Sequence, residues 1–316
     1  MNKAGDPRDG RPGILITGGT GLLGIGWACA LRDNSRVVCA THRHSLYLAG
    51  VESAPLDLES TDGLRRSLEV LGRPTVVHTA AMASVDECER NPEAARHVNA
   101  GLAENVARAA ADLDCPMIHI STDHLFAGPA QSWSETDTPR PLNRYAETKL
   151  EAEERVLSAW PRALVARTNF FGWGSAGRRS FSDWIIDNLR AGRPVTLFDD
   201  VFYSPILIEA LALAAHELTA RNVAGVVNLG GDDALTKHAF GVRLAERFGL
   251  DRALIRRGKL ADSRLGAPRP THMSLDNGLA TRKLGRRVGS LDSFLDALAR
   301  QEASGLAGEL ENAVTE

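Results

Sequence analysis

The chain has 316 residues, 43% of them hydrophobic and 24% charged, with a formal net charge of −3. That balance suits a globular protein with a sizeable core, built as one large domain or two small ones. It supplies no basic field for nucleic acid or an anionic membrane, and no apolar run approaches the roughly 20 residues that span a bilayer.

Residues 1–12 are polar and rich in Gly and Pro, without the apolar stretch of a signal peptide, and read as a disordered leader on a cytoplasmic protein. Cys29, Cys39, Cys88 and Cys115 are spaced too widely for a zinc clip or a disulfide framework, so buried free thiols are expected. The nine histidines are scattered, and no metal site is expected.

Residues 13–17, Gly-Ile-Leu-Ile-Thr, read as a buried strand. Gly-Gly-Thr-Gly-Leu-Leu-Gly follows at 18–24, and 25–31 carries a helical period. Strand, glycine loop, helix is the context of a dinucleotide-binding turn. Gly18, Gly21 and Gly24 would let a pyrophosphate approach the amides at the helix start, with Thr20, Leu22 and Leu23 beside it.

Residues 36–41 form a second strand. An acid at its end would bind the ribose hydroxyls of NAD and repel a 2′-phosphate. The chain reads Ala40-Thr41-His42-Arg43-His44 instead. Arg43, with Thr41 as a donor and His42 alongside, favours NADP(H), with NAD(H) as the alternative. Residues 55–58 read as a third short strand whose Asp57 and Leu58 would meet the adenine. A helix at 61–71 and a strand at 75–79 follow, with Ala80 and Ala81 placed against the cofactor. Residues 92–113 read as one long alanine-rich helix. A fifth strand at 116–121 ends in Ser121-Thr122-Asp123, a helix spans 142–159, and a sixth strand spans 163–167.

Strands alternating with helices predict a doubly wound parallel sheet, a Rossmann α/β fold, with a smaller C-terminal substrate-binding lobe. The NAD(P)-binding domain is expected at 13–168 plus about 200–232, and the lobe at 169–199 plus 233–302. Residues 169–179 and 256–270 read as loops, 226–229 as a late strand, and 181–191, 206–219 and 237–248 as helices. The tail 303–316, like the leader, is expected to be disordered.

Tyr145 and Lys149 lie one helical turn apart on one face. An adjacent ammonium would lower the tyrosine pKa from about 10 and suit it to exchange a proton with a carbonyl or alcohol oxygen. The Ser121-Thr122 hydroxyls at the end of strand five can hold such a carbonyl on the same sheet edge as the glycine loop.

Thr17-Gly-Gly-Thr-Gly-Leu-Leu-Gly24, His78-Thr-Ala-Ala81, Ser121-Thr-Asp123 and Tyr145-x-x-x-Lys149, in this order, resemble an extended short-chain dehydrogenase/reductase. The phrases at 83–89, 121–128 and 141–149, with Arg167-Thr168, Arg269-Pro270 and Ser274-Leu275-Asp276, resemble its dTDP-4-dehydrorhamnose reductase branch. The resemblance implies NADPH-dependent reduction of the 4-keto group of a nucleotide-linked 6-deoxysugar, in deoxysugar or polysaccharide biosynthesis. It maps the catalytic set onto Thr122, Tyr145 and Lys149, lets Lys149 hold the nicotinamide ribose, and gives Asn99 a supporting place at the cofactor site. Expected substrate contacts are Ser84, Val85, Thr122, His124, Asn169, Phe170, Arg178 and Arg179, with Asn169 and the two arginines on the sugar-nucleotide pyrophosphate. His124 and Phe170 replace a tyrosine and a tryptophan of the branch, in the cleft that chooses the sugar. An epimerase or dehydratase that recycles its cofactor, and a non-catalytic regulatory subunit, are the alternatives. The branch's magnesium-linked dimer contact has no motif here, so a homodimer stays open.

Overall fold

The computed structural model describes residues 13–128 and 132–315. The leader 1–12 lies outside the described residues. Seven strands form one parallel sheet: β1 (Gly13–Thr17), β2 (Arg36–Thr41), β3 (Val51–Pro55), β4 (Thr75–His78), β5 (Met117–Ile120), β6 (Leu164–Arg167) and β7 (Gly225–Asn228). Their order is β7-β6-β5-β4-β1-β2-β3. The chain steps outward from β1 to β3, then returns to lay β4 on the other side of β1. That reversal opens a crevice at the carboxyl ends of the strands, where ligands bind in this fold class.

Alternation along the strands sorts two cores. Ile14, Ile16, Ile118 and Leu164 face α1 (Leu22–Leu31) and a helix at Ile208–Ala220. Leu15, Val76, Met117 and Val165 face α2 (Thr61–Val70), α3 (Leu102–Asp112) and α4 (Arg144–Ala159). Each such side chain contributes roughly 1.5–3 kcal/mol by leaving water. The helix at Ile208–Ala220, hereafter α5, packs on α1 so closely that a Cβ at Gly26 would stand 2.8 Å from Ile208 Cγ2.

Beyond the sheet, helices Phe181–Arg190, Lys237–Arg247 and Leu291–Ala303 gather with a parallel pair of strands, Val195–Phe198 with Ile255–Gly258. Phe171, Phe181 and Tyr203 pack their rings on Phe240, in a core continuous with that of Ile14 and Ile16. Among the described residues no helix is long and apolar enough to cross a membrane.

Three expectations are corrected and one is refined. The third strand is Val51–Pro55, not 55–58. It is an edge strand with an exposed Ser53-Ala54-Pro55 end, so it lacks a buried strand's apolar signature, and Pro55 has no N–H to extend the ladder. The long helix expected at 92–113 runs unbroken over 92–112, with a π-helical turn at His97–Gly101 set between Pro92–Arg96 and α3. The turn presents buried Asn99, whose Oδ1 accepts from Met82 N at 2.7 Å. Residues 255–258 are a strand rather than loop, because their partner is over fifty residues away in sequence. The tail is folded through residue 315. Helix Leu306–Glu311 buries Leu310, and strand Val314–Thr315 pairs antiparallel with Ser45–Leu46.

Candidate active site

The glycine loop packs against the end of β4. Gly18 has φ +69°, and a Cβ there would stand 2.7 Å from Ala80 N. At Gly24 a Cβ would collide with the Gly18 carbonyl oxygen. Gly21 caps α1 without a side-chain hydrogen bond, so the first-turn amides are open to an anion.

A cavity of about 610 Å³ runs from this loop over the strand ends. Gly18, Thr20, Gly21, Thr41, His42, Arg43, Asp57, Leu58, Ala80 and Ala81 line it. A second cavity, of about 220 Å³, is lined by Leu23, Val85, Thr122, His124, Tyr145, Lys149, Asn169 and Phe170. Thr79, Ala81 and Ala83 border both, so the two spaces meet.

Asn143 starts α4. Its Oδ1 accepts from Ala146 N at 2.9 Å and its Nδ2 donates to Pro268 O at 2.9 Å. This cap fixes Tyr145 in the first turn, with Lys149 one turn deeper. Thr122 follows β5, and its Oγ1 accepts from His124 N at 3.2 Å. The His124 ring stands edge-on to Tyr145, with centroids 5.8 Å apart.

The electrostatics differ from the expectation that Lys149 lowers the tyrosine pKa. Burial pushes the Tyr145 phenol up to about 12, with the Thr122 hydroxyl pulling the other way. Lys149 Nζ donates to Ile120 O at 2.6 Å and lies 3.3 Å from His119 Nε2. Burial lowers it to about 8, opposed by the charge of Glu153. The phenol is therefore neutral at pH 7 and the amine mostly an ammonium. Burial also pushes the Asp123 carboxyl up, opposed by the Lys237 ammonium, while Asn169 Nδ2 donates to Asp123 Oδ2 at 2.7 Å.

Five of the expected contacts lie outside the cavity that holds Tyr145. Arg178 lines the glycine-loop cavity, not the one holding Tyr145. Arg179 is drawn off by Asp187, at 2.6 Å, and by Glu311. Ser84 caps helix Val85–Arg90 and also faces the larger cavity. Leu22 lies against Gly174, where a Cβ would be 3.0 Å from Leu22 Cδ1, and lines neither space. Asn99 lines neither; it grips Met82 and donates to Thr148 Oγ1 at 3.0 Å, fixing the segment after Ala81.

Sequence reasoning missed the polar layer beneath the site. Thr17, His78 and His119 sit in register across β1, β4 and β5. Thr17 Oγ1 meets His78 Nδ1 at 2.8 Å, and the two imidazoles stack 5.4 Å apart. Ser121 Oγ donates to Glu153 Oε1 at 2.5 Å, and Arg167 grips Glu153 through Nε at 2.9 Å and Nη2 at 2.7 Å. Polar residues near the end of three otherwise apolar strands were the available signal. Glu153, two turns into α4 on a helix rich in acids, gave none.

The family model of the RmlD substrate binding domain matches residues 12–301. The probable low-salt glycan biosynthesis reductase Agl14 of Haloferax volcanii is 31% identical over 90% of this chain and 96% of its own length. The dTDP-4-dehydrorhamnose reductase of Salmonella typhimurium is 28% identical over 86% of this chain and 91% of its own. In structure, the dTDP-4-dehydrorhamnose reductase of Bacillus anthracis, solved in complex with NADP, superposes with a TM-score of 0.80 at 19% identity, covering 92% of this chain and 99% of that one. That last likeness concerns the fold.

Proposed function

This chain belongs to the family of the RmlD substrate binding domain, and from that footing we propose that it is an NADP(H)-dependent reductase of a 4-keto group on a nucleotide-linked 6-deoxysugar. The observation that carries the proposal is the meeting of two spaces. Thr122, Tyr145 and Lys149 line one, the glycine loop lines the other, and Thr79, Ala81 and Ala83 border both.

The cofactor fits the residues present. Gly18 and Gly24 let the loop fold tightly on itself and on Ala80 where no Cβ would fit, and the uncapped start of α1 offers amides to a pyrophosphate. Asp57 and Leu58 flank the larger cavity near the strand ends, and Arg43 supplies a cation for a 2′-phosphate, with no acid at the end of β2. When bound, the reduced nicotinamide supplies a hydride to the carbonyl carbon.

The chain's own groups manage the oxygen. Thr122 holds the carbonyl oxygen as a hydrogen-bond donor. Tyr145, protonated at neutral pH, gives its phenolic proton to that oxygen as charge develops. Lys149, an ammonium below about pH 8, sets a positive charge in the same cavity, where it is available to a nicotinamide ribose. Asp123, Asn169 and Phe170 lie where the sugar ring enters, and the smaller lobe is the part we assign to the substrate.

The test supplies NADPH and a panel of 4-keto-6-deoxy sugar nucleotides to the purified protein. NADPH loss matching product one for one supports the reductase. Turnover without net NADPH loss would assign an epimerase or dehydratase instead.

A further inference from the structure

We propose that the C-terminal segment 306–315 is a clasp that sets cofactor choice, holding in place two cationic loops of the larger cavity while lining none of it itself. The inference rests on the NADP(H) reading above.

The first loop follows β2. His42, Arg43 and His44 line the larger cavity, and Arg43 is exposed to it. The next two residues, Ser45 and Leu46, pair antiparallel with Thr315 and Val314. Tyr47 N then donates to Ala313 O at 2.8 Å. The far end of this loop is tied as well. Arg32 grips Glu309 with bonds of 2.5 and 2.7 Å and donates to Ala49 O at 3.1 Å. The second loop lies in the part assigned to the smaller lobe. Ala176 N donates to Glu311 O at 3.0 Å, two residues before Arg178, which lines the same cavity. The segment is itself anchored in the core: Leu310 is 2% exposed and Ala313 is fully buried.

One short stretch of chain thus fixes the backbone beside both Arg43 and Arg178. A cation on an ordered loop binds an anion more tightly, because the ordering entropy is not lost at the moment of binding. NADH lacks the 2′-phosphate and gains little from an ordered Arg43. The clasp therefore acts on the difference between the two cofactors.

The experiment measures NADPH and NADH dissociation constants by fluorescence titration of the full-length protein without substrate. Tyr47→Pro deletes the N–H that reaches Ala313, while Tyr47→Ala keeps it; the side chain is 67% exposed, so its loss alone is silent. Tyr47→Pro is expected to weaken NADPH about tenfold and NADH less than about twofold, and Tyr47→Ala to match the wild type. Thr315→Pro, which removes the N–H that faces Ser45 from the other strand, repeats the Tyr47→Pro pattern. NADH binding in the same samples reports that the fold is intact. Proline variants that keep the wild-type ratio, or lose both cofactors equally, overturn the clasp alone. A wild-type protein without preference for NADPH overturns the cofactor reading and the clasp with it.

Discussion

Glu153→Gln tests the buried charge beneath the site. The carboxylate is 3% exposed and accepts from Arg167 Nε, Arg167 Nη2 and Ser121 Oγ. Arg167 is itself 4% exposed, so removing its partner leaves a buried, uncompensated cation. Breaking such a pair costs about 3–5 kcal/mol. At about 2–4 °C per kcal/mol, the melting temperature should fall by roughly 6–20 °C, nearer the lower end because glutamine still accepts one hydrogen bond. The same change acts on Lys149. Burial holds that amine at about 8 against the opposing pull of Glu153, so losing the negative charge lowers it further. Lys149 is charged below its pKa and neutral above it. The alkaline fall of kcat/KM for reduction, expected near pH 8, therefore moves to lower pH in the variant. Tyr145, pushed up to about 12, cannot be the source of that limb. Differential scanning fluorimetry and pH–rate profiles from pH 6 to 9.5 read both effects. A melting temperature within about 2 °C of wild type, or an alkaline limb that stays or rises, would refute the buried-pair reasoning.

Gly24→Ala should raise the NADPH dissociation constant by more than about tenfold with little change in far-ultraviolet circular dichroism, since its Cβ meets backbone of the glycine loop that cannot swing aside. Arg43→Ala should weaken NADPH by about tenfold or more and leave NADH nearly unchanged, read by titration of each cofactor. Arg178→Ala should weaken cofactor binding and leave the KM for the sugar nucleotide nearly unchanged, because Arg178 lines the larger cavity and not the one with Tyr145; initial-rate kinetics with each substrate varied separate the two.

The glycine loop and the Tyr145–Lys149 spacing were legible because each is local: a strand, a tight turn and a helix within twenty residues, or two side chains one turn apart. What escaped depends on distant partners. Residues 314–315 are too few to read as a strand, and they become one only against Ser45–Leu46. The direction of the Tyr145 shift escaped for a similar reason. Helical spacing put the ammonium beside the phenol, but burial of the phenol by distant parts of the chain raises its pKa, and Lys149 Nζ is engaged by Ile120 O and His119 of β5. Within 169–179, composition could not say that Arg178 turns to the glycine loop while Arg179 pairs with Asp187.

Tyr145→Phe tests the central claim most directly. It keeps the ring and its contact with His124 and removes the hydroxyl that carries the proton. With a 4-keto-6-deoxy sugar nucleotide that the wild type reduces, kcat should fall by about 10²–10⁴, while the NADPH dissociation constant stays within about twofold of wild type. A variant that still consumes NADPH at a rate within about threefold of wild type would contradict the assignment of Tyr145 as the proton donor.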